Sequence, residues 1–167
     1  MQPITYSVSK GLRAGAIAGF VGSIVLGIFG EIGAVAMNQE LYYTTVARRM
    51  GFGDSSVLGG WTLHFIVGIV AGSIFIGATA AIRRFSLTTT KKAIWVGILG
   101  GIAIWIAVYV PITDLFVPAD LSNLMFAGGS FIFHLVYGVV TALTSLWLIR
   151  RTVIRPITVD PLAKAWN

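Results

Sequence analysis

The sequence predicts an all-α polytopic membrane protein: four transmembrane helices in a parallel 2+2 tandem repeat, plus a short outer amphipathic helix in the first connection. Three observations predict it. Hydrophobic side chains make up 56% of the 167 residues and charged ones only 11%, too apolar a mixture to wrap a core in a solvated shell. Charge is absent from four runs, Ala14–Gly30, Ser55–Ile82, Ala93–Thr113 and Leu121–Ile149, each able to cross a bilayer, for which roughly 20 residues are needed. The basic residues cluster at the flanks of those runs, where side chains that orient helices belong.

Helices are expected near Ala14–Met37, Gly60–Ile82, Ala93–Val110 and Gly129–Ile149, with Pro111 ending or kinking the third. The chain reads as one domain, 1–167, with repeat one at about 10–84, repeat two at about 91–151 and a cytoplasmic tail at 152–167. The first span follows Lys10 and Arg13 and contains Ala34-Val35-Ala36, which has the look of a cleaved signal sequence. Its apolar part is longer than an ordinary signal core, and Glu31 sits just ahead of the would-be cleavage point, so it is expected to stay as a span.

Orientation follows from the twelve basic residues, since short loops rich in Lys and Arg stay in the cytoplasm. Lys10, Arg13, Arg83, Arg84, Lys91, Lys92, Arg150, Arg151, Arg155 and Lys164 fall on one side, and only Arg48 and Arg49 on the other. Five of the six acids, Glu31, Glu40, Asp54, Asp114 and Asp120, fall opposite the basic side. Both termini are therefore expected in the cytoplasm, with the protein in the cell membrane. Trp61 near one interface and Trp95 and Trp147 near the other fit interfacial anchoring.

A repeat is legible within the chain. Gly60, His64, Gly68 and Gly72 match Ser130, His134, Gly138 and Ala142 at a constant offset of 70, and Lys10, Gly15 and Gly19 match Lys92, Gly97 and Gly101 at 82. The two offsets differ by the length of Gln39–Met50, where Tyr43, Val46, Ala47 and Met50 follow helical spacing. That extra segment is expected to lie as an amphipathic helix on the outer membrane surface. Gly51-Phe52-Gly53-Asp54 reads as the turn that closes it, since no helix-opening lysine follows to make a phosphate cradle.

Small residues recur four apart: Gly11, Gly15, Gly19, Ser23 and Gly27 on the first span, Gly97 and Gly101 on the third. Such stripes let helix backbones approach closely in lipid, where no hydrophobic force favours helix over acyl chain. Together with Gly60, Gly68, Gly72, Gly138 and Ala142 they are expected to pack inside the bundle or against a partner chain.

Four ionisable residues fall inside or against spans: Glu31, His64, Asp114 and His134. Counted along the helices from the basic anchors, they share one layer near the outer rim. In the plainest reading the carboxylates meet water and the histidines donate to neighbouring backbone or acidic groups. Sharper readings are a divalent transition metal on all four, a haem ligated by His64 and His134, and the mouth of a channel or proton-coupled carrier. The spacing of a zinc-protease helix is absent, and no ionisable residue continues a route inward.

No catalytic residues are expected. Cysteine is absent, which removes disulfides, thiolate ligands and Cys nucleophiles together. Neither a nucleotide loop nor a defensible Ser-His-Asp arrangement is present, and the net charge of +6 belongs to span flanks rather than to a nucleic-acid surface. His64-Phe-Ile-Val-Gly68 and His134-Leu-Val-Tyr-Gly138 give the chain a resemblance to small four-helix membrane proteins of prokaryotes. Some of these are accessory subunits of large membrane enzymes, copper-dependent monooxygenases among them. That resemblance implies a subunit rather than a stand-alone enzyme. The extensive small-residue faces, the missing catalytic set and the outer helix absent from the second repeat predict an accessory or scaffolding subunit docking through those faces and that helix onto larger membrane subunits or copies of itself, in contact with the bilayer.

Overall fold

The structure, a computed structural model, describes residues 6–153. The tail from 154 onward, with Arg155 and Lys164, lies outside the described residues. Seven α-helices follow in order, with no strand among the described residues: α1 Val8–Ala36, α2 Tyr42–Arg49, α3 Ser56–Ala81, α4 Thr90–Ile104, α5 Val110–Phe116, α6 Pro118–Ser122 and α7 Leu124–Val153. Four helical segments, Val8–Ala36, Gly53–Ala81, Thr90–Phe116 and Leu124–Arg151, are long and apolar enough to cross a membrane. Their outward faces carry a belt of exposed apolar residues, including Ile17, Ile24, Ile66, Ile74, Leu99 and Ile132, as contact with lipid requires.

Caps mark where two spans begin. Ser7 accepts from the Lys10 N–H ahead of α1, and Thr89 accepts from the Lys92 N–H ahead of α4, each satisfying an orphan donor of the first turn. Both helices start well before the apolar runs do, because a capped polar turn extends them beyond the hydrophobic stretch.

Of the two expectations set on Pro111, an end or a kink, the third span excludes the first. Its helix does not end there. Pro111 has no N–H to give, and the turn ahead of it, Trp105–Tyr109, widens into π geometry in which the Val110 N–H bonds the Trp105 carbonyl. The helix then resumes as α5. Such bulges re-aim side chains, and here the rings of Trp105 and Tyr109 end up stacked, centroids 5.8 Å apart.

Small residues hold the helices in hairpins, α1 with α3 and α4 with α7. A Cβ on Gly72 would sit 2.6 Å from both the Gly15 carbonyl oxygen and the Gly19 Cα, and one on Gly138 would sit 2.6 Å from the Gly101 nitrogen and 2.9 Å from its Cα. Gly11 faces Ile76 and Ala80, Gly68 faces Ser23, and Gly27 faces the Trp61 ring. The ladder of α1 is thus occupied within the bundle, and the small faces of α4 are equally taken. Gly72 seats between Gly15 and Gly19 as Gly138 seats between Gly97 and Gly101, whereas the offset of 70 read in the sequence sets Gly138 against Gly68.

A second stripe joins the hairpins. Ala14, Ala18 and Gly22, four apart and buried, lie on the side of α1 where Gly22 meets the Tyr137 ring and the Thr141 hydroxyl of α7. Tyr137, 3% exposed, threads past α1 and donates its hydroxyl to the Gly68 carbonyl of α3 at 2.5 Å.

The two ends of the bundle differ. At the basic end Ala14, Ile76, Leu87, Ala93, Val96, Ala142, Leu146 and Ile149 form a closed core. Thr79 spends its proton on the Ile76 carbonyl, so the Tyr6 hydroxyl donates to Thr79 at 2.7 Å, and it accepts from the Leu87 N–H. At the other end α2 packs across α3, its Tyr43 and Thr44 backbone lying against Gly60. Tyr43, Val46 and Ala47 are buried there, while Met50 is exposed. Gly51, at φ +94°, stops α2: its N–H bonds Arg48 and that of Phe52 bonds Ala47, a left-handed cap for which glycine carries no steric cost.

The far edge of α2 is fastened to α5. Thr113 donates to the Tyr109 carbonyl, so the Tyr42 hydroxyl donates to Thr113, at 2.8 Å. Burial raises the Tyr42 phenol above its usual range, and the Thr113 bond only partly offsets this, so the hydroxyl keeps its proton across working pH. Tyr42→Phe is expected to weaken this fastening by about 1 kcal/mol, seen as faster amide exchange confined to α2 while α1 and α3 stay protected.

A candidate ligand cavity beneath the second helix

Between the four spans, at the end that α2 covers, lies a cavity of about 450 Å³. It exists because α3 and α4 part. Phe75 of α3 rests on Gly100 of α4, and the two helices have few other close approaches along their length. The wall takes Val67 and Ala71 from α3, Ile104 and Val108 from the third span, Leu26 and Gly33 from α1, and Phe133 and Tyr137 from α7, with Tyr42 and Tyr43 as roof.

His64 and His134 both line this cavity. The His64 Nε2 lies 2.8 Å from the Ser23 carbonyl of α1, and the His134 Nδ1 lies 2.7 Å from the Ser130 carbonyl one turn back on α7. A carbonyl oxygen only accepts, so both nitrogens carry the proton and donate. The plain expectation that the histidines donate to backbone is what the geometry shows, and each ring still keeps a second nitrogen.

Aromatic rings hold the imidazoles in place. Tyr43 stacks on His64 at 4.9 Å between centroids and 22° between planes, with the Trp61 edge behind it. His134 meets Tyr109 at 5.5 Å, and Tyr109 in turn meets Tyr42 at 5.2 Å. The π turn therefore has a consequence at the site, since it delivers Tyr109 to the wall and sends the Trp105 indole N–H to Ser130 Oγ at 2.8 Å. Burial, with Glu31 adding its charge, raises the Tyr43 phenol above its usual range.

The four-residue metal set is not assembled. Glu31 and Asp114 are exposed and do not line the cavity, although their neighbours Gly30 and Ile112 do. One step along a helix turns a side chain by about 100°, and height alone does not reveal that rotation. Among the described residues no three His, Asp or Glu side chains converge as metal ligands. Among those same residues the only charged one on the wall is Glu40, which is paired with Arg48 on α2. No Lys or Arg of the described chain is there to meet the propionates of a haem.

Sequence reading misses Tyr42, Tyr109 and Tyr137 as site residues. Tyr42 and Tyr43 carry a signal, two adjacent aromatics opening an amphipathic segment, but nothing local says that this segment folds over the spans. The chain matches no protein-family pattern, no curated protein sequence and no solved structure.

Proposed function

We propose that this chain is a membrane-embedded binding protein for a small, uncharged, lipid-soluble molecule, which enters from the bilayer through the gap between α3 and α4. The observation that carries the reading is the cavity itself. It has the size of a small-molecule site and is apolar, with a few polar atoms placed on it. The closed core at the basic end argues against a pore, since Ile76, Leu146 and Ile149 are packed shut there. The distribution of Lys and Arg favours a cavity toward the non-cytoplasmic face, with both termini in the cytoplasm. Occupation of the small-residue faces inside the bundle favours this reading over docking through them.

Gly129 supplies the test. It lines the cavity, and a Cβ placed there meets nothing within 4 Å. Gly129→Leu fills the space and also removes a helix-weakening glycine, a gain of up to about 1 kcal/mol. Native mass spectrometry from mild detergent is expected to show a neutral adduct on the wild type that is lost in Gly129→Leu, with the thermal midpoint unchanged or higher. A wild type free of adduct, or an equal adduct on both proteins, contradicts the proposal.

A further inference from the structure

The two histidines bring the same kind of polar atom to the cavity, and that selects the ligand. With His64 Nε2 and His134 Nδ1 both donating to carbonyls, the nitrogens left over, His64 Nδ1 and His134 Nε2, hold lone pairs. A second proton on either ring would place a cation in an apolar cavity without a free counter-ion, so both rings are neutral and their remaining nitrogens accept. The hydroxyl donors around them are already used: Tyr42 on Thr113, Tyr137 on the Gly68 carbonyl, Ser130 on the Ala127 carbonyl and Ser23 on the Phe20 carbonyl. The Tyr43 hydroxyl, though without a partner, is fully buried. Tyr109 can give or take a proton and so does not discriminate.

Building on the cavity reading above, we propose that the ligand is a dihydroxy-aromatic lipid of the quinol class, whose two hydroxyls donate to His64 Nδ1 and His134 Nε2. Its ring lies among Tyr43, Tyr109 and the imidazoles, and its apolar chain runs out between α3 and α4 into lipid. The oxidised quinone, which offers two carbonyl acceptors, meets two lone pairs and is disfavoured; the site therefore holds the reduced form. An anionic lipid finds no Lys or Arg on the wall among the described residues, and a single metal ion leaves most of about 450 Å³ unfilled.

The experiment uses the full chain in nanodiscs at pH 7.5 under anaerobic conditions, titrated with a decyl-substituted benzoquinol and separately with its quinone, by calorimetry. The quinol is expected to bind at least about tenfold more tightly. His134→Phe keeps a ring of similar size without the acceptor, and is expected to weaken quinol binding by about five- to tenfold while leaving the quinone unmoved. In wild-type protein labelled with 15N-histidine, the unprotonated His134 Nε2 resonance is expected to shift on adding quinol, a readout that needs no variant. Equal affinity for the two forms, or a nitrogen resonance that does not move, overturns the quinol assignment and leaves the cavity reading standing. Binding of neither form also overturns the quinol assignment, and the cavity reading is then decided by the adduct experiment on the wild type and Gly129→Leu.

Discussion

Gly72→Leu is expected to leave little folded protein in mild detergent. A Cβ at Gly72 already falls 2.6 Å from the Gly15 carbonyl oxygen and the Gly19 Cα. These are backbone atoms of a helix and cannot swing aside as a side-chain tip does, so α1 and α3 must separate. Overpacking typically costs about 1–3 kcal/mol, and a clash against backbone on both sides belongs at or above the top of that range. Separation also undoes the seat of Tyr137 on Gly68 and the placing of α2 on Gly60. The control is Gly128→Leu: its Cβ meets nothing within 4 Å, and the folded fraction is expected to stay at the wild-type level. Both substitutions replace a glycine within a helix by leucine, so a loss confined to Gly72 isolates close packing as the cause. Size-exclusion profiles and thermal melts of the two variants check this.

Tyr137→Ala is expected to loosen the two hairpins from each other at a cost of about 3–5 kcal/mol, the range for emptying a buried aromatic site. The ring fills the space against Gly22 of α1, and its hydroxyl reaches the Gly68 carbonyl of α3. One side chain of α7 therefore contacts both helices of the other hairpin. Tyr137→Phe separates the contributions: it keeps the ring, loses one hydrogen bond and should cost only about 1 kcal/mol. Unfolding in mixed detergent micelles, followed by tryptophan fluorescence, measures both. If the alanine variant were no worse than the phenylalanine variant, the ring would not be joining the hairpins.

The spans are legible because crossing a bilayer is a matter of length and hydropathy, and the four charge-free runs carry both. The packing faces of α1 are legible for a related reason: Gly11, Gly15, Gly19, Ser23 and Gly27 recur at the helical repeat, and close approach in lipid needs that pattern. What the stripe meets is not written in it. Internal packing and a partner chain are equally open from the pattern, and only tertiary structure shows the stripe filled by α3. The neighbouring stripe of Ala14, Ala18 and Gly22 is also there to be read, but alanines in an apolar run stand out less than glycines.

At the site, residue type and height are readable but direction is not. His64, His134, Glu31 and Asp114 stand out because ionisable groups near lipid are costly. Two of them face the cavity and two face outward, a difference of helix rotation that packing sets. The cavity itself arises from a place where α3 and α4 fail to meet, and a sequence shows contacts more readily than gaps. Pro111 suggests a stop or kink because proline removes a donor; the π turn that absorbs the loss, and brings Tyr109 to His134, depends on the surrounding bundle.

The most direct measurement of the central claim uses the absence of cysteine from the chain. Gly129→Cys places a single thiol on the cavity wall, and a small, uncharged, membrane-permeant maleimide reports whether that wall is reachable in folded protein. The account predicts ready labelling that slows when the decyl-substituted benzoquinol is added, while a thiol introduced by Gly128→Cys, at a position that does not line the cavity, labels at the same rate with and without it. A Gly129→Cys variant whose thiol stays unlabelled until the protein is unfolded would contradict an open cavity between the spans.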